Sequence, residues 1–263
     1  MENRIENRLK QLGERKEKAL ITYMTAGLPD MEGTKEIIRA QEEAGTDVIE
    51  LGIPFSDPIA DGPVIQQASY ESILKGTNLT KVFAMMKEIR KECQIPVVFM
   101  MYYNTALHYG LRAFAEKCTE CGVDGLIIPD LPFEEQGELQ RALDSVSGAP
   151  ILLQLISPVS GDRIPMILQG ARGFVYCVSS MGVTGQAADF HKNVKAYLKE
   201  VKEAASIPVM MGFGIRTAAD VEPVKELIDG AIVGSHFISL MKQENYDLAV
   251  IKKYIREFKH GMN

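Results

Sequence analysis

Eight short apolar, β-branched runs alternate with longer stretches of helical period along 263 residues, and this alternation predicts an α/β fold built on a parallel sheet. Eight such units in a chain of this length fit a closed (βα)8 TIM barrel better than an open doubly wound sheet. A third observation agrees. The run 48–51 carries the carboxylate Glu50 toward its C-terminal end, where barrels of this kind place their working groups.

The elements can be justified in order. A first helix with Ile5, Leu9 and Leu12 on one side is expected to cover the barrel floor, which would otherwise expose apolar side chains. Strands are expected at 19–24, 48–51, 97–101, 125–128, 151–156, 174–178, 209–212 and 231–233, each a short run bounded by turn residues. In the helix over 34–43, Ile37, Ile38 and Gln41 to Ala44 set one stripe, and Gly45 ends it because glycine tolerates a left-handed cap. The segment 63–75 reads as an extra helix after the second strand. Over 81–91, Val82, Met85, Met86 and Ile89 line one face. A helix near 248–258 should close the outer ring. With no linker or low-complexity stretch, residues 1–263 are expected to form one barrel domain.

Composition removes several function classes. With 46% hydrophobic residues the chain has ample material for a core. The net charge of −6, without any basic tract, argues against nucleic acid as partner. It leaves room for one small phosphate, which backbone amides can hold. The charged N-terminus lacks the apolar core of a signal peptide and no run approaches a membrane span, so a cytoplasmic protein with no membrane contact is expected. Four cysteines suit a reducing compartment, and the Cys118-x-x-Cys121 pair, inside a helix without a second pair or a nearby histidine, reads as structural.

The segment 48–66 is the most informative. After Glu50 comes a loop rich in proline and glycine that holds Pro54, Ser56, Asp57, Pro58 and Asp61. Ionised acids are costly to bury without a partner, so a strand-end glutamate beside an acidic loop reads as a working group. No lysine stands at a strand end, which leaves a Schiff-base aldolase without its nucleophile. His108, His191, His236 and His260 are scattered, and no metal site is expected. Carboxylate acid–base chemistry remains. At the last strand ends, Gly185, Gly214, Gly234 and Ser235 place small residues, and a helix start, where barrel enzymes hold phosphate. A phosphorylated small molecule with its reactive end near Glu50 is the expectation.

Beyond segment 48–66, the chain carries Tyr23-Met24-Thr25-Ala26-Gly27-Leu28-Pro29, Tyr102-Tyr103-Asn104, Pro129-Asp130-Leu131-Pro132, Gly182-Val183-Thr184-Gly185 and Gly212-Phe213-Gly214-Ile215. In this order and over almost the whole length, the set resembles the tryptophan synthase alpha subunit family. The resemblance implies retro-aldol cleavage of indole-3-glycerol phosphate to indole and glyceraldehyde 3-phosphate, in tryptophan biosynthesis. It implies no cofactor in this chain, with pyridoxal phosphate expected only in a partner beta subunit of an alpha2beta2 complex.

Residue roles follow from the same resemblance. Glu50 becomes the acid–base group, Asp61 the acceptor of the indole N–H, and Tyr176 a tyrosine at the reacting end. Tyr23, Tyr102, Thr184, Phe213 and Ile232 would contact the substrate. Pro54, Asp57, Pro58, Asn104 and Asp130 fall to loop closure and the partner surface, with Thr184 of a lid over 179–189 meeting Asp57. A raised pKa is expected for Glu50, while Asp61 stays ionised. Thr105, Phe174 and Val159 depart from the residues usual in the family, the first on the surface that would meet the partner. A stand-alone indole-releasing lyase shares every active-site residue, whereas a non-catalytic activator of the beta subunit would need neither Glu50 nor Asp61.

Overall fold

Parallel pairing organises the computed structural model, which describes residues 3–178, 187–212 and 214–263, without side chains for 187–193. The strands are β1 (Ala19–Thr25), β2 (Val48–Gly52), β3 (Val97–Met100), β4 (Gly125–Ile127), β5 (Ile151–Leu152), β6 (Gln154–Ile156), β7 (Val175–Val178), β8 (Val209–Gly212) and β9 (Gly230–Val233). They pair in the order β5-β4-β3-β2-β1-β9-β8-β7-β6. Only Leu153 separates the two sheet edges, and its N–H donates to Leu126 O at 2.9 Å. The edges are therefore halves of one barrel strand, each paired to a different neighbour, and the eight-stranded barrel closes as expected.

Side-chain alternation divides the core in two. Ala19, Ile21, Val48, Val98, Ile127, Ile151, Leu153, Phe174, Met210 and Ile232 fill the lumen as one cluster with Ile5, Leu9 and Leu12 of α1 (Arg4–Arg15). The first helix therefore plugs the floor. A Cβ on Gly125 would stand 2.9 Å from Ile5 Cδ1, so that glycine makes room for the plug. Residues on the alternate positions, such as Leu20, Ile49, Leu51, Phe99 and Val233, face the helical layer. Phe174 is fully buried in the lumen, away from the mouth.

The outer helices follow the predicted periods. They are α2 (Met31–Ala44), α3 (Pro63–Leu74), α4 (Leu79–Ile89), α5 (Tyr103–Tyr109), α6 (Leu111–Glu120), α7 (Gly137–Asp144), α8 (Ile164–Leu168), α9 (Ala187–Ala204), α10 (Ser235–Gln243) and α11 (Leu248–Met262). Gly45 caps α2 at φ 103°, in the left-handed region that a side chain disfavours. Cys118 lies in the last turn of α6 and Cys121 follows the helix; all four cysteines are buried free thiols.

Three aspartates lock the floor, each one residue before a strand. Asp47 accepts the Leu20 N–H at 2.7 Å, Asp124 the Val97 N–H at 2.8 Å, and Asp229 the Val209 N–H at 2.7 Å. Each also meets a cation: Arg8 and Lys259 at Asp47, Arg4 and Arg90 at Asp124, Lys202 at Asp229. Through Arg4 and Arg8 the plug helix is tied to the strands it covers.

Candidate active site

At the other end of the barrel, β2 brings Glu50 into the lumen in register with Tyr23 of β1 and Val98 of β3. Only 2% of Glu50 is exposed, and its Oε2 has no hydrogen-bond partner among the described residues. Burial, with the negative charge of Asp61 added, pushes its pKa up to about 8. An acid so placed keeps its proton at neutral pH.

Asp61 lies on the loop after β2, half-buried. Burial raises it too, to about 6, against a Tyr102 contact that holds it down. The expectation that the two acids separate is met, with one adjustment: Asp61 also moves upward, because its loop folds over the mouth. Near neutral pH Glu50 is mainly protonated and Asp61 mainly ionised.

The loop has its own anchors. Phe55 N–H donates to Ser69 Oγ at 2.8 Å, and that hydroxyl donates back to Phe55 O at 3.0 Å. Gln66 Nε2 donates to Asp61 O at 2.9 Å. Tyr102, after β3, receives the Ala60 N–H on its hydroxyl at 2.9 Å and stacks its ring on Phe55.

Two more phenols lean over the acids. A Cβ on Gly52 would overlap the Tyr23 hydroxyl and come within 2.5 Å of its Cζ; one on Gly212 would likewise overlap Tyr176, within 2.6 Å of Cζ. Glycine at these two strand ends gives each tyrosine a seat on the neighbouring strand. Burial, and next the charge of Glu50, keeps the Tyr176 phenol neutral, hence a hydrogen-bond donor. Ile232 is buried in the lumen cluster.

On the β8–β9 side, α10 begins at exposed Ser235 after Gly234, with no side chain among the described residues capping its first amides. Gly214, at φ 76° and exposed, lies in the preceding strand's loop. An uncapped helix start beside a glycine loop can take an anion. Thr184, Gly185, Phe213 and the segment 179–186 lie outside the described residues.

Residues expected at a partner surface occupy the same rim. Asp57 is exposed and accepts the Ser56 hydroxyl at 2.5 Å; Asn104 is exposed on α5; Asp130 accepts the Tyr103 N–H at 2.9 Å; Pro54 and Pro58 are half-buried. Sequence reading missed Ile59, 84% exposed, and Leu107, 49% exposed, which join Val159, 72% exposed, as apolar side chains in water. Leu107 stands off the buried face of its helix, a signal legible only once the face is known. Phe55 and Gly52 were also missed, since both act through contacts with another strand's tyrosine.

A broad groove bordered by Asn7, Asp124, Gln136 and Gln140 opens at the floor end. Its buried acid, Asp124, is already paired with Arg4 and Arg90, so it lacks the uncompensated carboxyl found at the mouth. Among the described residues, no three His, Cys, Asp or Glu side chains are grouped to hold a metal, and no helix is long and apolar enough to cross a membrane.

A parallel barrel that gathers a buried glutamate, a loop aspartate and a helix start on one rim has the make-up of an α/β-barrel enzyme. The family model described as tryptophan synthase alpha chain matches residues 9–263. The tryptophan synthase alpha chain of Lachnospira eligens is 60% identical, covering 99% of this chain and 99% of its own. The crystal structure of tryptophan synthase subunit alpha from Legionella pneumophila superposes with a TM-score of 0.90 at 33% identity, covering 100% of this chain and 99% of that one. A chain of the aminoacrylate-bound tryptophan synthase of M. tuberculosis gives 0.87 at 28% identity, with coverage of 99% and 100%. The chain belongs to the tryptophan synthase alpha chain family and takes the alpha subunit's part in tryptophan biosynthesis, as a carbon–carbon lyase.

Proposed function

We propose that Glu50 and Asp61 divide the work of cleaving indole-3-glycerol phosphate into indole and glyceraldehyde 3-phosphate. A proton goes to the ring carbon that bears the side chain, and the ring becomes cationic. The side-chain hydroxyl beside it then loses its proton, its C–O bond becomes a carbonyl, and the carbon–carbon bond breaks with its electron pair returning to the ring. Glu50, neutral at the start, is the group that exchanges protons at this centre. Asp61 accepts the indole N–H and stabilises positive charge there. The carrying observation is the buried Glu50 carboxyl, its Oε2 unpartnered among the described residues, beside a second acid.

Tyr23, Tyr102 and Ile232 would wall the indole ring, with Tyr176 near the reacting end. Thr184 and Phe213 are assigned to the substrate from sequence alone. Gly185, Gly214, Gly234 and the α10 start at Ser235 would hold the phosphate. Neither step calls for a metal or organic cofactor in this chain, and pyridoxal phosphate is assigned to the partner.

That partner is a beta subunit in an alpha2beta2 complex in the cytoplasm, seated on the rim of Pro54, Asp57, Pro58, Asn104 and Asp130. Ile59, Leu107 and Val159, exposed on the segments that follow β2, β3 and β6 at this end of the barrel, support this placement, since exposed apolar surface marks interaction sites. Indole release by the purified chain, with and without a beta subunit, tests the function. A chain that binds the substrate but releases no indole in either condition overturns it, and full activity alone favours a stand-alone lyase.

A further inference from the structure

Tyr102 touches the catalytic loop at both ends. Its ring stacks on Phe55, near the loop's beginning, with centroids 5.0 Å apart and planes 17° from parallel. Its hydroxyl accepts the Ala60 N–H at 2.9 Å, near the loop's end. The same hydroxyl faces the Asp61 carboxyl. Tyr102 itself is 4% exposed and stands between β3 and α5, so it is held by regular structure while the loop is not. A wall for an indole ring needs only a flat apolar face, which phenylalanine supplies equally. A hydroxyl that accepts a loop N–H serves something else.

We propose that Tyr102 is a positioning residue, which fixes the loop and aims the Asp61 carboxylate at the indole nitrogen. The proposal rests on the reading of Asp61 given above. In the bound geometry an error of about 1 Å in such a group can cost on the order of 10²-fold in rate. One rigid side chain that grips Phe55 and Ala60 together removes that freedom. The charged and titratable groups around the pair are few. Asp61 is faced by Tyr102, Glu50, Tyr23 and Tyr176, and Tyr102 by Asp61, Asp130 and Tyr23.

The test is Tyr102→Phe, which keeps the ring and the stacking. Its kcat should fall about 10- to 100-fold while KM changes little, because the lost contact orients a group rather than binds substrate. The acid limb of its kcat/KM profile should move to higher pH, since the hydroxyl no longer holds Asp61 down. Tyr102→Leu, which also loses the stacking, should raise KM as well. In an Asp61→Asn background, Tyr102→Phe should add almost nothing. A Tyr102→Phe enzyme with parental kcat and an unmoved acid limb overturns the proposal. So does an undiminished effect in the Asp61→Asn background, which would mean that the hydroxyl acts elsewhere. Full activity of Asp61→Asn alone overturns the Asp61 reading, and with it the need for a positioning residue.

Discussion

Glu50 is an acid kept neutral by its surroundings, and that has two measurable consequences. Glu50→Gln preserves size but cannot exchange a proton, so lyase activity should fall by roughly 10²–10⁴ while substrate binding persists. Retention of near-normal indole release would exclude Glu50 as the acid. With Glu50 required protonated and Asp61 required ionised, kcat/KM should form a bell falling below about pH 6 and above about pH 8. The stability effect has the opposite sign from an ion-paired carboxylate. A folded pKa raised to about 8 means that the native state holds a proton the unfolded chain has released, so this group's contribution to stability declines as pH rises toward 8. Thermal unfolding of Glu50→Gln against the parent should therefore show a gain for the variant that grows between about pH 5 and about pH 8. A Tm difference independent of pH would mean that Glu50 is ionised in the fold. Glu50 itself was legible in sequence, because an acid inside an apolar run is conspicuous; the partnerless Oε2 was not, since it depends on what seven other strands bring near.

Strand ends and strand starts do different work. At the mouth, β2 needs a residue without a side chain at Gly52, because the Tyr23 phenol from β1 occupies that space. Gly52→Ala should displace the phenol, costing roughly 1–3 kcal/mol by overpacking and lowering indole release. Urea unfolding and the lyase assay together check it, and an unchanged midpoint would show that Tyr23 can move freely. At the floor, Asp124→Ala would leave Arg90, whose side chain is 9% exposed, without its carboxylate and Val97 N–H without its acceptor. Breaking a buried pair in this way costs about 3–5 kcal/mol, so the urea midpoint should fall sharply. A loss no larger than that of an exposed ion pair would mean that water replaces the carboxylate. Periodicity located the strands to within a residue, and β8 falls on 209–212 as read, whereas helix ends drifted further: α3 stops one residue earlier, α2 begins three residues earlier and α11 runs four residues longer. The break at Leu153 escaped the sequence, since Ile151 to Ile156 reads as one unbroken run.

For the molecule as a whole, active site and partner surface lie, on the proposed reading, at the same mouth. Leu107→Asp and Val159→Asp place charge on exposed apolar positions, and each should weaken binding of a beta subunit about tenfold or more while leaving the lone chain's indole release unchanged. Titration with labelled beta subunit measures this; unaltered affinity would move the interface elsewhere. Because coupled equilibria are reciprocal, a non-cleavable indole phosphate should tighten the same association if the partner speeds the chemistry by acting on the substrate-bound state.

The amino-acid sequence by itself determined the architecture, because strand and helix periods are local and repeat eight times, and it picked out Glu50 and Asp61, because acids beside apolar strands are chemically conspicuous. The family motifs, spread from Tyr23 to Ser235, determined the reaction class in the same way. Only the tertiary structure decided what surrounds those acids. Closure of the barrel set Tyr23 over Gly52 and Tyr176 over Gly212, brought the Tyr102 hydroxyl to the Ala60 N–H of the loop, and raised Asp61 along with Glu50. The exposure of Leu107 and Val159 on the same rim as the acids is likewise a product of folding. Desolvation and steric fit depend on residues distant in sequence and adjacent in space, and no local pattern of side chains contains that adjacency.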